Sequence, residues 1–286
     1  MSSIDSESTV NGQPVPLDPN QGGDATKKTY HKRATGRAWE TVLAHTADQP
    51  LKLYGSCFCP FVHRVWIALE RKRLTYQYIE VDVYRKPPLL LAINPRGLVP
   101  ALRHGDWGCY ESTVLMEYLE DLTHDSSEED VRLLPHDAQL RAHCRLWTDH
   151  INRHIVPLFY RYLQAQKPEE QAKHAKDLTE SIALLVTAAD PAGPFFLPGH
   201  DLGFVDVQIA PWVVRLRKVL KPYRGWPDPE PGSRWEKWVR AIEESDAVQR
   251  TTSGDELYLD SYERYAENRP NTSQVRDAIN EGRDLP

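Results

Sequence analysis

The chain has 286 residues, 40% hydrophobic and 27% charged, with a formal net charge of −6 and a pI near 6.0. That length supports one large domain or two modest ones with a real core, and the acidic balance gives no reason to invoke nucleic acid or an anionic membrane surface. No apolar run approaches the roughly 20 residues that span a bilayer, and four cysteines in so long a chain do not make a disulfide framework, which predicts a reducing, cytoplasmic compartment.

Residues 1–28 are polar and rich in Gly, Pro, Ser and Asp; they are predicted to be disordered and lack the apolar core of a secretory signal. Residues 29–50 carry Tyr30, Trp39, Val42 and Leu43 and are expected to pack on the body, with a helical turn at 39–44. Leu51-Lys52-Leu53-Tyr54 alternates and stops at Gly55, as a short strand does. Residues 60–69 have helical spacing, with Phe61, Val65, Ala68 and Leu69 on one side, and the following Arg71-Lys72-Arg73 reads as a solvated helix end. A second strand is predicted over 75–83, a short helix over 87–93, and a third strand over 99–103. His104-Gly105-Asp106 turns into a fourth strand over 108–110. Ser112 is expected to cap a helix reaching Leu122.

The order is β-α-β-α-β-β-α, so the first two strands must be parallel and the last two form an antiparallel hairpin. Residues 123–130 read as an acidic linker. Beyond them the pattern is helical: 138–165 with a kink at Pro157, 169–189, 204–220, 234–244 and 258–268. The domain expectation is an N-terminal extension over 1–50, an α/β domain over 51–124, an all-helical domain over 136–268 and a flexible tail over 269–286.

The chemistry concentrates at Cys59-Pro60-Phe61. Proline favours the first helical position, because its missing N–H would be unpaired there. Cys59 then becomes the cap residue, where free amides converge and the helix dipole is positive. Such a place can lower a thiol from about 8.5 to roughly 3.5–7.5, which predicts a thiolate nucleophile. Cys57 is spaced C-x-C from it, and the position one helical turn inward, Val62, is not a thiol, so one-thiol chemistry with an external thiol is expected. Cys57 reads as a loop residue, and Cys109 and Cys144 as packing residues. His63 and Arg64 follow on the helix but read as solvated or interface residues.

CPF at 59–61, NPRGLVPAL at 94–102, YES at 110–112 and the all-helical second half together resemble the cytosolic glutathione transferase superfamily, most closely its omega class with a cysteine nucleophile and an N-terminal extension. The likeness covers about 48–265. It implies a thioredoxin-like βαβαββα domain followed by the helical transferase domain, with glutathione as co-substrate and a homodimer. By the resemblance, Val99 and a cis bond before Pro100 hold the cysteinyl part of glutathione, Glu111 and Ser112 the γ-glutamyl end, and Lys86 the glycyl carboxylate; Phe61 and Leu98 belong to the same site. Asp206, three residues after Gly203, takes the place of a structural capping-box residue. Trp147, Tyr160 and Trp212 are candidates for an apolar pocket, though core packing explains such residues more often.

The implied activity is a glutathione-dependent thiol transfer or reduction through Cys59: dehydroascorbate reduction, deglutathionylation or removal of glutathione from small-molecule adducts. Two other readings stand beside it. One is conjugation or isomerisation of a small electrophile, for which Tyr54 and Ser56 lie near the nucleophile position. The other is a non-enzymatic binding protein of the same fold.

Overall fold

The computed structural model describes residues 9–10, 13–14, 31–123, 131–199 and 201–286. The segment expected to be disordered, 1–28, and the acidic linker lie almost wholly outside the described residues; within the former, β1 (Thr9–Val10) pairs antiparallel with β2 (Gln13–Pro14).

The α/β half is built as its alternation requires. β3 (Leu51–Gly55), α2 (Pro60–Arg71), β4 (Gln77–Glu80), α3 (Pro88–Ile93), β5 (Ala101–His104), β6 (Trp107–Tyr110) and α4 (Ser112–Leu122) follow in sequence. The sheet order is β4-β3-β5-β6, with β3 parallel to β4 and antiparallel to β5, and β5 antiparallel to β6. Side chains alternate across the strands. Leu53 and Leu102 face the large core with α2 and α4, while Tyr54 and Ala101 face a smaller one closed by Leu90 of α3. Helices therefore cover both faces of the sheet.

β3 ends at Gly55 for a packing reason. A Cβ there would lie 2.5 Å from Val62 Cγ1 and 2.7 Å from the Tyr78 hydroxyl oxygen. The strand-to-helix turn thus comes too close to α2 for any side chain, and this closeness sets where α2 begins.

The helical half comprises α5 (Ala138–His150), α6 (Val156–Gln164), α7 (Pro168–Ala188), α8 (Phe204–Arg215), α9 (Lys221–Arg224), α10 (Arg234–Glu244), α11 (Asp246–Thr251), α12 (Asp255–Ala266) and α13 (Gln274–Glu281). Where a kink at Pro157 was expected, a π-helical turn over Ile151–Ile155 joins α5 to α6. Pro157 offers no N–H to the preceding turn, and the wider turn accommodates it. A second π turn, Leu216–Leu220, joins α8 to α9.

Three further expectations are corrected. The segment 269–286 is not an unpacked tail: Ser273 caps α13 by accepting from Arg276 N–H at 3.0 Å, and Thr272 and Ala278 are buried. Ser112 is the first residue of α4 and Glu111 its cap, with φ +75°. Arg71-Lys72-Arg73 is not wholly solvated either. Lys72 is buried and its ammonium pairs with Glu120 at 2.6 Å, while Glu120 also accepts from Leu133 and Leu134 N–H. This buried pair ties α4 to the start of the helical half.

Asp206 is structural, as its position implied. Its carboxylate accepts from Gly203 N–H at 2.9 Å, Phe196 N–H at 2.9 Å and Trp238 Nε1–H at 2.6 Å. Ahead of the sheet, α1 (Gly36–Ala44) packs on α11 and joins the extension to the body.

Candidate active site

A cavity of about 670 Å³ opens between the two halves. Cys59, Phe61, Val99 and Ser112 line it from the α/β side, and Tyr160 and Tyr262 from the helical side. Cys59 is the cap of α2, in extended conformation, with Pro60 at the first helical position. Its own N–H donates to Ser56 O at 3.0 Å, which fixes the loop, and its half-buried thiol donates to Val99 O at 3.6 Å.

The electrostatics correct the sequence reading. Burial pushes the Cys59 thiol above its ordinary value. The Val62 and Phe61 amides at the helix start, and the Arg215 and Arg64 guanidiniums, pull the other way without prevailing. The helix-terminal effect is present, but the S–H is held on a carbonyl in a partly desolvated wall. Cys57 is farther from reaction: burial and the Glu80 carboxylate push it well up, and its thiol donates to His31 O at 3.2 Å. Cys144 is buried and pushed up to about 12.

The structure brings together most of the residues singled out from sequence. Phe61, Leu98, Val99, Pro100, Glu111 and Ser112 line the same cavity as Cys59. The Val99–Pro100 bond is cis. Glu111 holds its positive φ at the start of α4 and pairs with Arg96 at 3.2 Å. Such a backbone in a non-glycine residue is costly and clusters at functional sites. Lys86 is the exception: it is absent from the cavity wall, and its ammonium donates to Arg96 O at 3.4 Å. Tyr160 lines the cavity, whereas Trp147 and Trp212 do not. Tyr54 is buried in the smaller core and Ser56 is buried beside the turn; neither lines the cavity.

Sequence reasoning passed over the basic groups behind Cys59. Arg64 is fully buried, donates from Nε to Gln208 O at 2.9 Å and from Nη1 to Ser112 Oγ at 3.4 Å, and lies 4.3 Å over the Trp212 ring. Burial pulls it down to about 9, so it remains a cation at neutral pH. Arg215, from α8, is also fully buried. His63 is buried between Thr251 and Arg215; desolvation and the Arg215 charge lower it well below the ordinary value, so it is neutral. Its Nδ1 accepts from Arg215, which leaves Nε2–H to donate to Thr251 Oγ1. The only sequence signal for these arginines was the position of Arg64 on the helix that starts at Cys59.

The family described as "Glutathione S-transferase, N-terminal domain" matches residues 53–127. Glutathione S-transferase U1 of Arabidopsis thaliana is 30% identical over 231 residues, covering 77% of this chain and 96% of the relative. The crystal structure of glutathione transferase Omega 3C from Trametes versicolor superposes with TM-score 0.74 at 40% identity, covering 82% of this chain and 98% of that one. The chain belongs to the cytosolic glutathione transferase superfamily. A Tau-class glutathione S-transferase from mango, Mangifera indica, superposes with TM-score 0.66 at 25% identity over 76% of this chain and 98% of its own. Omega and tau classes both appear among the neighbours, so the likeness fixes the superfamily and not the class. As a glutathione transferase, this chain carries a thiol at the start of α2, and neither Tyr54 nor Ser56 lines the cavity. Among the described residues, no helix is long and apolar enough to cross a membrane.

Proposed function

We propose that this glutathione transferase works as a cysteine-type thiol transferase, with Cys59 as nucleophile and glutathione as co-substrate. The observation that carries this reading is the thiol itself: Cys59 stands at the head of α2 on the cavity wall, facing Val99 O. A conjugating enzyme that activates glutathione with a hydroxyl would need one there, and Tyr54 and Ser56 are buried elsewhere.

Glutathione takes the backbone of Val99 for its cysteinyl part and the Ser112 N–H and hydroxyl for its γ-glutamyl carboxylate, near the positive end of α4. Arg64, which donates to Ser112 Oγ, adds positive charge behind that carboxylate. Pairing Val99 with the peptide takes from the Cys59 thiol the carbonyl that now holds its proton. The freed Cys59 thiol gives its proton to water, and the thiolate attacks the glutathione sulfur of a mixed disulfide. The S–S bond breaks, the substrate leaves as a thiolate that takes up a proton, and Cys59 stays bonded to glutathione. A second glutathione thiolate attacks that bond, leaves as oxidised glutathione and restores Cys59. The second substrate is a small disulfide or electrophile held by the aromatic side of the cavity.

We also propose a homodimer in the cytoplasm. Trp107, Val114 and Leu122 are exposed on β6 and α4 and support an interface between copies, and four free cysteines fit a reducing compartment.

Incubation with oxidised glutathione followed by intact mass measurement tests the reading. One glutathione adduct is expected, lost in Cys59→Ala together with thiol-transfer turnover. Full turnover in Cys59→Ala would sink it, and a gain toward aryl halides would favour conjugation.

A further inference from the structure

We infer that Arg215 of the helical half is a positioning residue for Cys59: it clamps the carbonyl that precedes the nucleophile and supplies, with Arg64, positive charge behind it. The inference rests on Cys59 being the reactive group, and it is tested without any turnover assay.

The geometry is specific. Arg215 Nη2–H donates to Phe58 O at 2.8 Å, so the guanidinium grips the residue immediately before Cys59. Nε–H donates to the Tyr262 hydroxyl at 2.6 Å, and that hydroxyl donates in turn to Phe58 O at 3.2 Å. Nη1–H donates to Pro211 O at 2.8 Å and lies 3.3 Å from His63 Nδ1. Two side chains from α8 and α12 thus converge on one backbone carbonyl across the domain boundary. A guanidinium offers this planar fork, and a lysine cannot reproduce it.

The charge is as unusual as the fork. Arg215 is fully buried over the rings of Tyr258 and Tyr262, at 4.8 and 5.6 Å, and among the described residues no carboxylate pairs with it. A buried unpaired cation is expensive. Burial works against its charge, but Tyr262 and Tyr258 hold it up, so it stays cationic. A structural clamp could have used a neutral donor. A permanent cation beside the reacting sulfur does something more: it favours an anion at Cys59. Tightening the cap loop also holds the sulfur over the free amides of α2.

The groups facing Cys59 come from every neighbouring element. Arg64 lies on α2, Arg215 on α8, Tyr160 on α6, Tyr262 and Tyr265 on α12, Tyr78 on β4 and Cys57 in the preceding loop, while His63 is neutral. Arg215 and Arg64 are the cations among them.

The experiment is the rate of Cys59 alkylation by iodoacetamide as a function of pH, followed by peptide mass, in the full chain. Arg215→Gln keeps a donor for Phe58 O and removes the charge. Arg215→Lys keeps the charge and loses the fork. With melting curves recorded alongside, the Gln variant is expected to move the alkylation midpoint up by about one pH unit, a tenfold slower reaction at pH 8. The Lys variant is expected to move it less, but measurably. A folded Gln variant with the wild-type profile overturns the inference. Should the Gln variant not fold, the Lys variant decides alone, and a wild-type profile there overturns it. Absence of a glutathione adduct in the wild-type chain would defeat the thiol-transfer reading while leaving this profile to be measured.

Discussion

At the scale of single residues, the contest at Cys59 is between desolvation and local positive charge. Helix amides and two guanidiniums favour the thiolate, yet burial prevails and the proton sits toward Val99 O. The free enzyme should therefore alkylate slowly at neutral pH. Its rate should rise through a midpoint above the roughly 8.5 of an unperturbed thiol. A midpoint near 6 in the absence of glutathione would contradict the hydrogen bond to Val99. The same residue shows how far sequence could reach. CPF placed Cys59 at the helix start because that signal is local, whereas Val99 was put in the same site only by the resemblance that NPRGLVPAL helps to carry. The sign of the shift was not legible, since it depends on how much wall surrounds the sulfur. Arg215 lies in a distant helix, and a buried arginine is written with the same letter as an exposed one.

Among the elements, two devices set where the site sits. The first is the turn from β3 into α2, where Gly55 leaves room for Val62 and the Tyr78 hydroxyl. Gly55→Ala forces those groups apart, as overpacking a core does, and should cost about 1–3 kcal/mol in chemical denaturation. Because the strain falls at the start of α2, the Cys59 alkylation rate should change as well. A variant as stable as wild type would show the turn to be slack. The second device is the Asp206 cap of α8, the helix that carries Arg215. Burial pushes Asp206 up to about 6, above the ~3.9 of an unfolded aspartate. A carboxyl raised on folding contributes fully below about pH 4, and that contribution fades as pH rises through about 6. The difference is of order 3 kcal/mol. Asp206→Asn removes the titration, so the stability advantage of wild type over the variant should be largest near pH 4 and smaller at pH 7. Parallel stability curves across that range would refute it. The Gly203-to-Asp206 spacing made this cap legible in sequence. α13 was not, because a short amphipathic run after a polar stretch looks like a tail until Tyr84 OH is seen donating to Thr272 O from the other half.

For the whole molecule, one question is what holds two differently built halves as one body, and the N-terminal extension supplies part of the answer. Ala34 N–H donates to Glu80 Oε1 at 2.6 Å on β4 of the α/β half. One residue on, Thr35 N–H donates to Ser253 Oγ at 3.2 Å, and the Thr41 hydroxyl donates to Arg250 O at 2.7 Å, both in the helical half. His31 Nε2 pairs with Asp260 at 2.9 Å on α12. α1 follows with Ala38 fully buried and Thr41 and Val42 nearly so. The sequence indicated a packed turn near Trp39 but not its partner, since α11 carries no pattern that names α1. This strap also covers Cys57, whose thiol donates to His31 O. Ala38→Glu places a carboxylate in that contact with no partner, a change expected to cost several kcal/mol of docking energy. The melting temperature should fall, and Cys57 should become open to alkylation under native conditions. In the Ala38→Glu/Cys57→Ser variant the additional modification should disappear while the lower melting temperature stays. If Ala38→Glu leaves both the melting curve and Cys57 protection unchanged, α1 is not what seats the strap, and the bonds at residues 31–35 must hold it alone.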